Sequence, residues 1–126
     1  MEDWLLPSTE LVEMIHDTVL NPGELTGLAR DKSLSGALAR VENRLAYGMI
    51  GDIFDLAAAY AMAVAQGHCF NDGNKRTAYR VMLAVLDLNG AREPDVSPDI
   101  LGDKIIALAQ GIIDDANLAD WLRGGA

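Results

Sequence analysis

Cysteine occurs once in the 126 residues, at Cys69, so no internal disulfide can support the fold. Only two histidines, His16 and His68, accompany it, and together they make a poor set of metal ligands. Basic residues are scarce: 10 Lys and Arg stand against 19 Asp and Glu, for a formal net charge of −9. That balance argues against broad binding to a nucleic-acid backbone, which needs clustered cations. It leaves room for a small local anion site, and makes the few cations informative by position. Long apolar runs are missing too. The longest, Leu56 to Ala65, falls far short of the ~20 residues that span a bilayer. The start, Met1-Glu2-Asp3-Trp4, is acidic and lacks the basic region of a signal peptide. Repeats, low-complexity tracts and long polar linkers are lacking as well. These absences point to one domain over residues 1–126, cytoplasmic, with no membrane and no direct nucleic-acid partner.

Half of the residues are hydrophobic, enough for a packed core, and their spacing is helical almost throughout. The pattern predicts a first helix from a Ser8 cap to about Leu20, with Leu11, Val12, Ile15 and Val19 on its apolar face. Asn21-Pro22-Gly23 stops it, and Glu24 to Lys32 is expected to be loop, with room for a small hairpin near Leu25 to Leu28. Further helices are expected over about Ser33–Tyr47, Ile53–Gln66 behind an Asp52 cap, Lys75–Leu88, Asp99–Ile112 and Leu118–Arg123. The third is rich in alanine, which favours helix and permits close approach. The fourth is apolar on every side from Val81 to Leu86, which marks it as the buried central helix. The expected fold class is all-α, a compact bundle around that helix.

The polar stretch His68-Cys69-Phe70-Asn71-Asp72-Gly73-Asn74-Lys75-Arg76-Thr77 lies between the two most apolar helices. Gly73 allows a tight turn with positive φ, and Asn74 is expected to cap the fourth helix. The first N–H groups of that helix then lack intrahelical partners and form an anion site, which the helix dipole strengthens. Lys75 and Arg76 add full positive charges there, and an arginine fork grips phosphate oxygens in pairs. The dipole alone disfavours cations at a helix start, so their placement points to an anionic ligand rather than to solvated surface. Asp72 stands where a carboxylate beside bound phosphates holds Mg²⁺. His68, with an imidazole's ordinary pKa of ~6.5, suits the removal of a proton from an attacking hydroxyl. Asn-Asp-Gly is also a common hairpin turn, but helices flank it here. Phe70 is expected to anchor the loop in the core. His16 is expected at the surface or half-buried, Cys69 as loop filler open to modification beside His68, and Trp4 and Trp121 as packing residues.

These residues resemble the signature of the Fic/Doc family, His-x-Phe-x-(Asp/Glu)-Gly-Asn-x-Arg, filled here by His68, Phe70, Asp72, Gly73, Asn74 and Arg76. The short chain and the stretches Ile15-His16-Asp17 and Arg44-Leu45-Ala46-Tyr47 resemble its death-on-curing (Doc) toxin branch. The resemblance implies a general base at His68, Mg²⁺ at Asp72 and ATP phosphates on Asn74 and Arg76, in a cradle that Gly73 and Lys75 share; Arg80 either reaches a phosphate, with the helix suitably rotated, or is a surface residue. Lys75 is the branch point. Adenylyl-transferring Fic proteins carry Gly there, whereas Doc-like proteins carry Lys and resemble kinases that bind ATP in reverse and pass its γ-phosphate to a threonine of elongation factor Tu. Two positions depart from the pattern: Gly73 stands where Doc carries Ala, and Tyr79 where Fic motifs carry a second Arg, with Arg80 one step later. Nor does Thr9 to Glu13 complete the self-inhibiting helix motif of many Fic proteins, since Met14 follows. The resemblance therefore implies a separate Phd-like antitoxin whose disordered tail folds onto the toxin. Protein adenylyl transfer and a non-enzymatic helical binding module are the competing functions.

Overall fold

A computed structural model describes residues 3–124. Met1, Glu2, Gly125 and Ala126, at the ends of the expected domain, lie outside the described residues. Six helices follow in order: α1 Thr9–Val19, α2 Leu34–Ala46, α3 Ile53–Gly67, α4 Asn74–Leu88, α5 Pro98–Ala109 and α6 Asp115–Gly124. No strand occurs among the described residues, so the fold is all-α as expected. No helix among them is long and apolar enough to cross a membrane.

The helix starts follow local chemistry. Ser8 accepts the Leu11 N–H at 3.1 Å, Ser33 that of Gly36 at 3.0 Å, and Asp52 that of Asp55 at 2.9 Å. Each bond satisfies a donor that the first turn would otherwise leave unpaired. At α5, Ser97 caps and Pro98 occupies the first turn, where its missing N–H costs nothing. The helix ends depart further from expectation. α5 stops at Ala109, not Ile112, because Gly111 takes φ +75 and turns the chain back. The Ile112 and Gly111 N–H groups then bond to Ala107 and Leu108 carbonyls at 2.9 and 3.1 Å, a glycine-terminated helix end. α6 begins earlier than expected, at Asp115, because Asp114 and Asn117 exchange side-chain bonds to each other's N–H at 2.8 and 3.1 Å.

α3 and α4 share the centre. α3 packs against α2, α4, α5 and α6, and its buried run from Leu56 to Ala61 includes three successive alanines that let its neighbours approach. α4 packs against α1, α3 and α5 and buries Val81, Met82, Leu83, Val85 and Leu86. Trp4 and Trp121 pack half-buried against this core, as expected. Tyr60 is wholly buried in α3, and its hydroxyl finds no partner among the described residues. A buried hydroxyl without a partner keeps its desolvation cost. Tyr60→Phe is therefore expected to leave stability unchanged or raise it by up to ~1 kcal/mol, as read from denaturant midpoints.

Arg123 of α6 clamps the start of α3. Its guanidinium donates to both oxygens of Asp52, at 2.7 and 3.1 Å, and to Asp55 at 2.9 Å. Arg123 is the main reason that the Asp52 carboxyl titrates below its ordinary value of 3.8. A lowered folded pKa stabilises above the unfolded value, and the effect fades as pH falls through the folded one. Asp52→Asn keeps a good cap but loses the charge. Its deficit relative to wild type is expected to hold from neutral pH down to about pH 4 and to vanish in stronger acid. Both side chains are more than a third exposed, so the deficit should stay under ~1 kcal/mol.

Residues 24–32 form no helix and no strand, as expected of a loop, and no hairpin forms over Leu25–Leu28. The segment straps instead onto the loop between α3 and α4. Leu28 and Phe70 make one antiparallel bridge, and the Ala29 N–H bonds to the Cys69 carbonyl at 2.7 Å. The Asn71 N–H donates to the Gly27 carbonyl at 3.3 Å. Strap and loop thus satisfy each other's backbone, which neither could do alone.

Candidate active site

α3 ends on His68, which adopts the left-handed conformation at φ 50, ψ 38. Residues other than glycine take it at a cost of order 1 kcal/mol. Here it swings the imidazole outward, exposed, while the next two residues turn inward. Cys69 is 1% and Phe70 2% exposed. Phe70 anchors the loop as expected. Cys69 does not match the expectation of a modifiable loop residue: it is buried beneath the loop, and burial pushes its thiol pKa up.

Gly73, at φ +79, caps α4. An added Cβ would lie 3.3 Å from a Leu20 methyl, so both the conformation and the space suit glycine. The expected cap, Asn74, is instead the first helical residue. Its amide turns back to accept the Phe70 N–H at 3.1 Å and donate to the Phe70 carbonyl at 2.9 Å, which closes the loop. No side chain bonds to the start of α4, so its leading N–H groups stay open to an anion. Thr77 is buried, and its hydroxyl donates to the Gly73 carbonyl at 2.8 Å, a structural contact within the turn.

Lys75 is exposed and lines the adjoining cleft. Arg76 is already engaged. Its guanidinium donates to the Val19 carbonyl at 3.0 Å and to Glu24 Oε2 at 2.5 Å. Glu24 arrives there by turn chemistry. Asn21-Pro22-Gly23-Glu24 closes with the Glu24 N–H on the Asn21 carbonyl at 3.1 Å, and Gly23 supplies φ +87. The Asn21 N–H then donates to the other Glu24 oxygen at 2.6 Å. The Arg76 guanidinium, followed by that N–H, holds the Glu24 carboxyl below the usual range, and Glu24 in turn raises Arg76. The next residue, Leu25, gives its N–H to Asp72 Oδ2 at 2.7 Å. The strap thus touches both the arginine and the carboxylate that the sequence singles out.

His16 corrects an expectation. It is 1% exposed, not at the surface. Its ring stacks on Phe70 at 3.8 Å, and Nε2 meets the Asp72 carbonyl at 2.7 Å. Neither it nor Glu24 stood out from sequence reasoning. His16 shares a helix face with Val12, four residues earlier, and that spacing was its one signal of burial. Glu24 gave only the turn.

His68, Asp72, Gly73, Asn74, Lys75, Arg76 and Arg80 all border one open cleft of ≈1290 Å³. α1 forms one wall, through Ile15, Thr18 and Val19, and α5 another, through Gly102, Ile105 and Ile106. Drug-sized ligands occupy pockets of ~300–1,000 Å³, so the cleft has room for a nucleotide and part of a second reactant. Lys75 and Arg76 line the cleft from the first turn of α4 and Asp87 from the last, with Arg80 between them and Glu93 beyond. Asp87, beside it, holds the Glu93 carboxyl above its usual range. Arg80 is exposed on this wall, its guanidinium 5.7 Å from the centre of the Tyr79 ring. No cluster of three or more His, Cys, Asp or Glu that could hold a metal occurs among the described residues. Asp72 by itself fits Mg²⁺ only in the manner of phosphate enzymes, one carboxylate sharing the ion with a nucleotide and water.

The model of the Fic/DOC family matches residues 6–86, a span from before α1 to the last turn of α4 that contains the whole loop. The protein kinase doc of Escherichia phage P1 is 38% identical over 114 residues, which cover 90% of this chain and 89% of that one.

Proposed function

This chain belongs to the Fic/DOC family, and from that premise we propose that it is a Doc-branch protein kinase, the toxin of a toxin–antitoxin pair. It transfers the γ-phosphate of ATP to a threonine hydroxyl of elongation factor Tu in the cytoplasm and so blocks translation. Residues 1–126 act as one domain, and a Phd-like antitoxin restrains it. The observation that carries this proposal is that His68 and the uncapped, cationic start of α4 open into one cleft.

In this scheme the His68 imidazole takes the proton of the target hydroxyl. The hydroxyl oxygen bonds to the γ-phosphorus as the bond to the bridging oxygen breaks, and ADP leaves. The first N–H groups of α4, with Lys75 and Arg76, hold the phosphates and meet the charge that develops on them. Gly73 and Asn74 shape the turn that presents those groups, and Arg80 lies further along the same wall. Asp72 would hold Mg²⁺, which would offset phosphate charge. Lys75 supports phosphate over adenylyl transfer, because Doc-like proteins carry Lys at this position and adenylyl-transferring Fic proteins carry Gly. The relative named as a protein kinase points the same way.

The test is the intact mass of elongation factor Tu after incubation with this protein, ATP and Mg²⁺. The expected outcome is a gain of one phosphate. A gain of AMP instead would mean adenylyl transfer, and an unchanged mass would remove elongation factor Tu as the target.

A further inference from the structure

We propose that His16 is a positioning residue, which fixes the Asp72–Gly73 peptide so that the loop meets its phosphate ligand in one orientation. The proposal rests on the kinase reading for the identity of that ligand. The geometry stands on its own. His16 lies 56 residues from Asp72 in sequence, yet Nε2 and the Asp72 carbonyl oxygen are 2.7 Å apart. A carbonyl can only accept, so Nε2 carries the proton and donates. The ring is 1% exposed and lies flat on Phe70, with centroids 3.8 Å apart and planes 9° apart, which leaves it little freedom to rotate.

His16 does not border the cleft, but Asp72 and Gly73 do. It therefore holds the loop from behind. In a planar trans peptide the carbonyl and the following N–H point in opposite directions. A bond that fixes the Asp72 carbonyl toward His16 turns the Gly73 N–H away from it. The same peptide sets the direction in which the Asp72 side chain leaves the backbone. Gly73 lies directly against this ring, close enough that a Cβ there would touch it in ordinary contact at 3.7 Å. A histidine that only filled space would need no donor at this atom, and a buried polar ring is costly unless bonded.

The experiment compares His16→Leu, which keeps an apolar body and removes the donor, with His16→Gln, which restores an N–H of similar reach without the stacked ring. Each full chain is read in two ways: titration calorimetry with ATP and Mg²⁺, and the ¹³C resonance of the Asp72 carbonyl by NMR. His16→Leu is expected to bind about tenfold more weakly and to shift the carbonyl resonance. Both should recover in His16→Gln, at melting temperatures close to that of His16→Leu. Wild-type binding and an unmoved carbonyl in His16→Leu would overturn the proposal. So would equal losses in both variants that follow melting temperature, since packing alone explains those. If the wild-type chain binds no ATP, the kinase reading fails and the carbonyl resonance decides for His16: displaced in Leu and recovered in Gln supports it, unmoved overturns it.

Discussion

His68→Asn is expected to lower phosphate transfer to elongation factor Tu by roughly 10³-fold while leaving ATP binding and melting temperature near wild type. The choice of asparagine matters because His68 sits in the left-handed region, at φ 50. Asparagine tolerates that region better than most residues, so a loss of activity would report lost proton transfer rather than a distorted loop. His68→Ala carries more strain there and should lose a little stability as well. The imidazole is exposed and borders the cleft rather than the core. Retained transfer in His68→Asn, followed by intact mass, would remove the general base from the scheme.

The second large effect is a pair of opposite signs. Arg76→Ala is expected to weaken ATP binding about 10- to 100-fold, the scale of losing charge-assisted bonds to phosphate. Glu24→Gln is expected to tighten it, by less than tenfold. The reason is competition. The arginine fork that would grip phosphate is occupied by Glu24, and the pair is 39% and 26% exposed, so water already weakens it. Removing the carboxylate frees the fork without removing the fork. Calorimetric titration of both variants with ATP and Mg²⁺ reads the two signs. Weaker binding in Glu24→Gln would mean that Glu24 aims Arg76 rather than competing for it.

Much of the fold was legible because helix starts are local events. Ser8, Ser33 and Asp52 each bond to an N–H three residues away, and such caps show in the sequence as polar residues before an apolar pattern. The loop residues were legible for the same reason, since His68 to Arg76 are contiguous and Gly73, Lys75 and Arg76 sit at the turn into α4 as expected. Asn74 misled because it is a good cap by composition, whereas Gly73 holds the left-handed position that ends the turn. The ends of α5 and the start of α6 turned on a glycine and a reciprocal Asp114–Asn117 pair that periodicity does not register. Glu24 was not legible as a site residue, and His16 was visible only as part of a family-like stretch, without the contact that places it at the loop. Their partners lie 52 and 56 positions away, and no local pattern announces a contact across that distance.

The loop has support from outside its own residues. His16 and Val19 belong to α1, and Glu24 and Leu25 to the strap. The signature is consequently not portable. Grafted between two helices of another protein, His68 to Arg76 would arrive with an unpaired Asp72 carbonyl, an unheld Asp72 carboxylate and an Arg76 without its Val19 and Glu24 partners. The working unit here is a clasp made of two distant segments, and the short run that carries the signature is only one half of it.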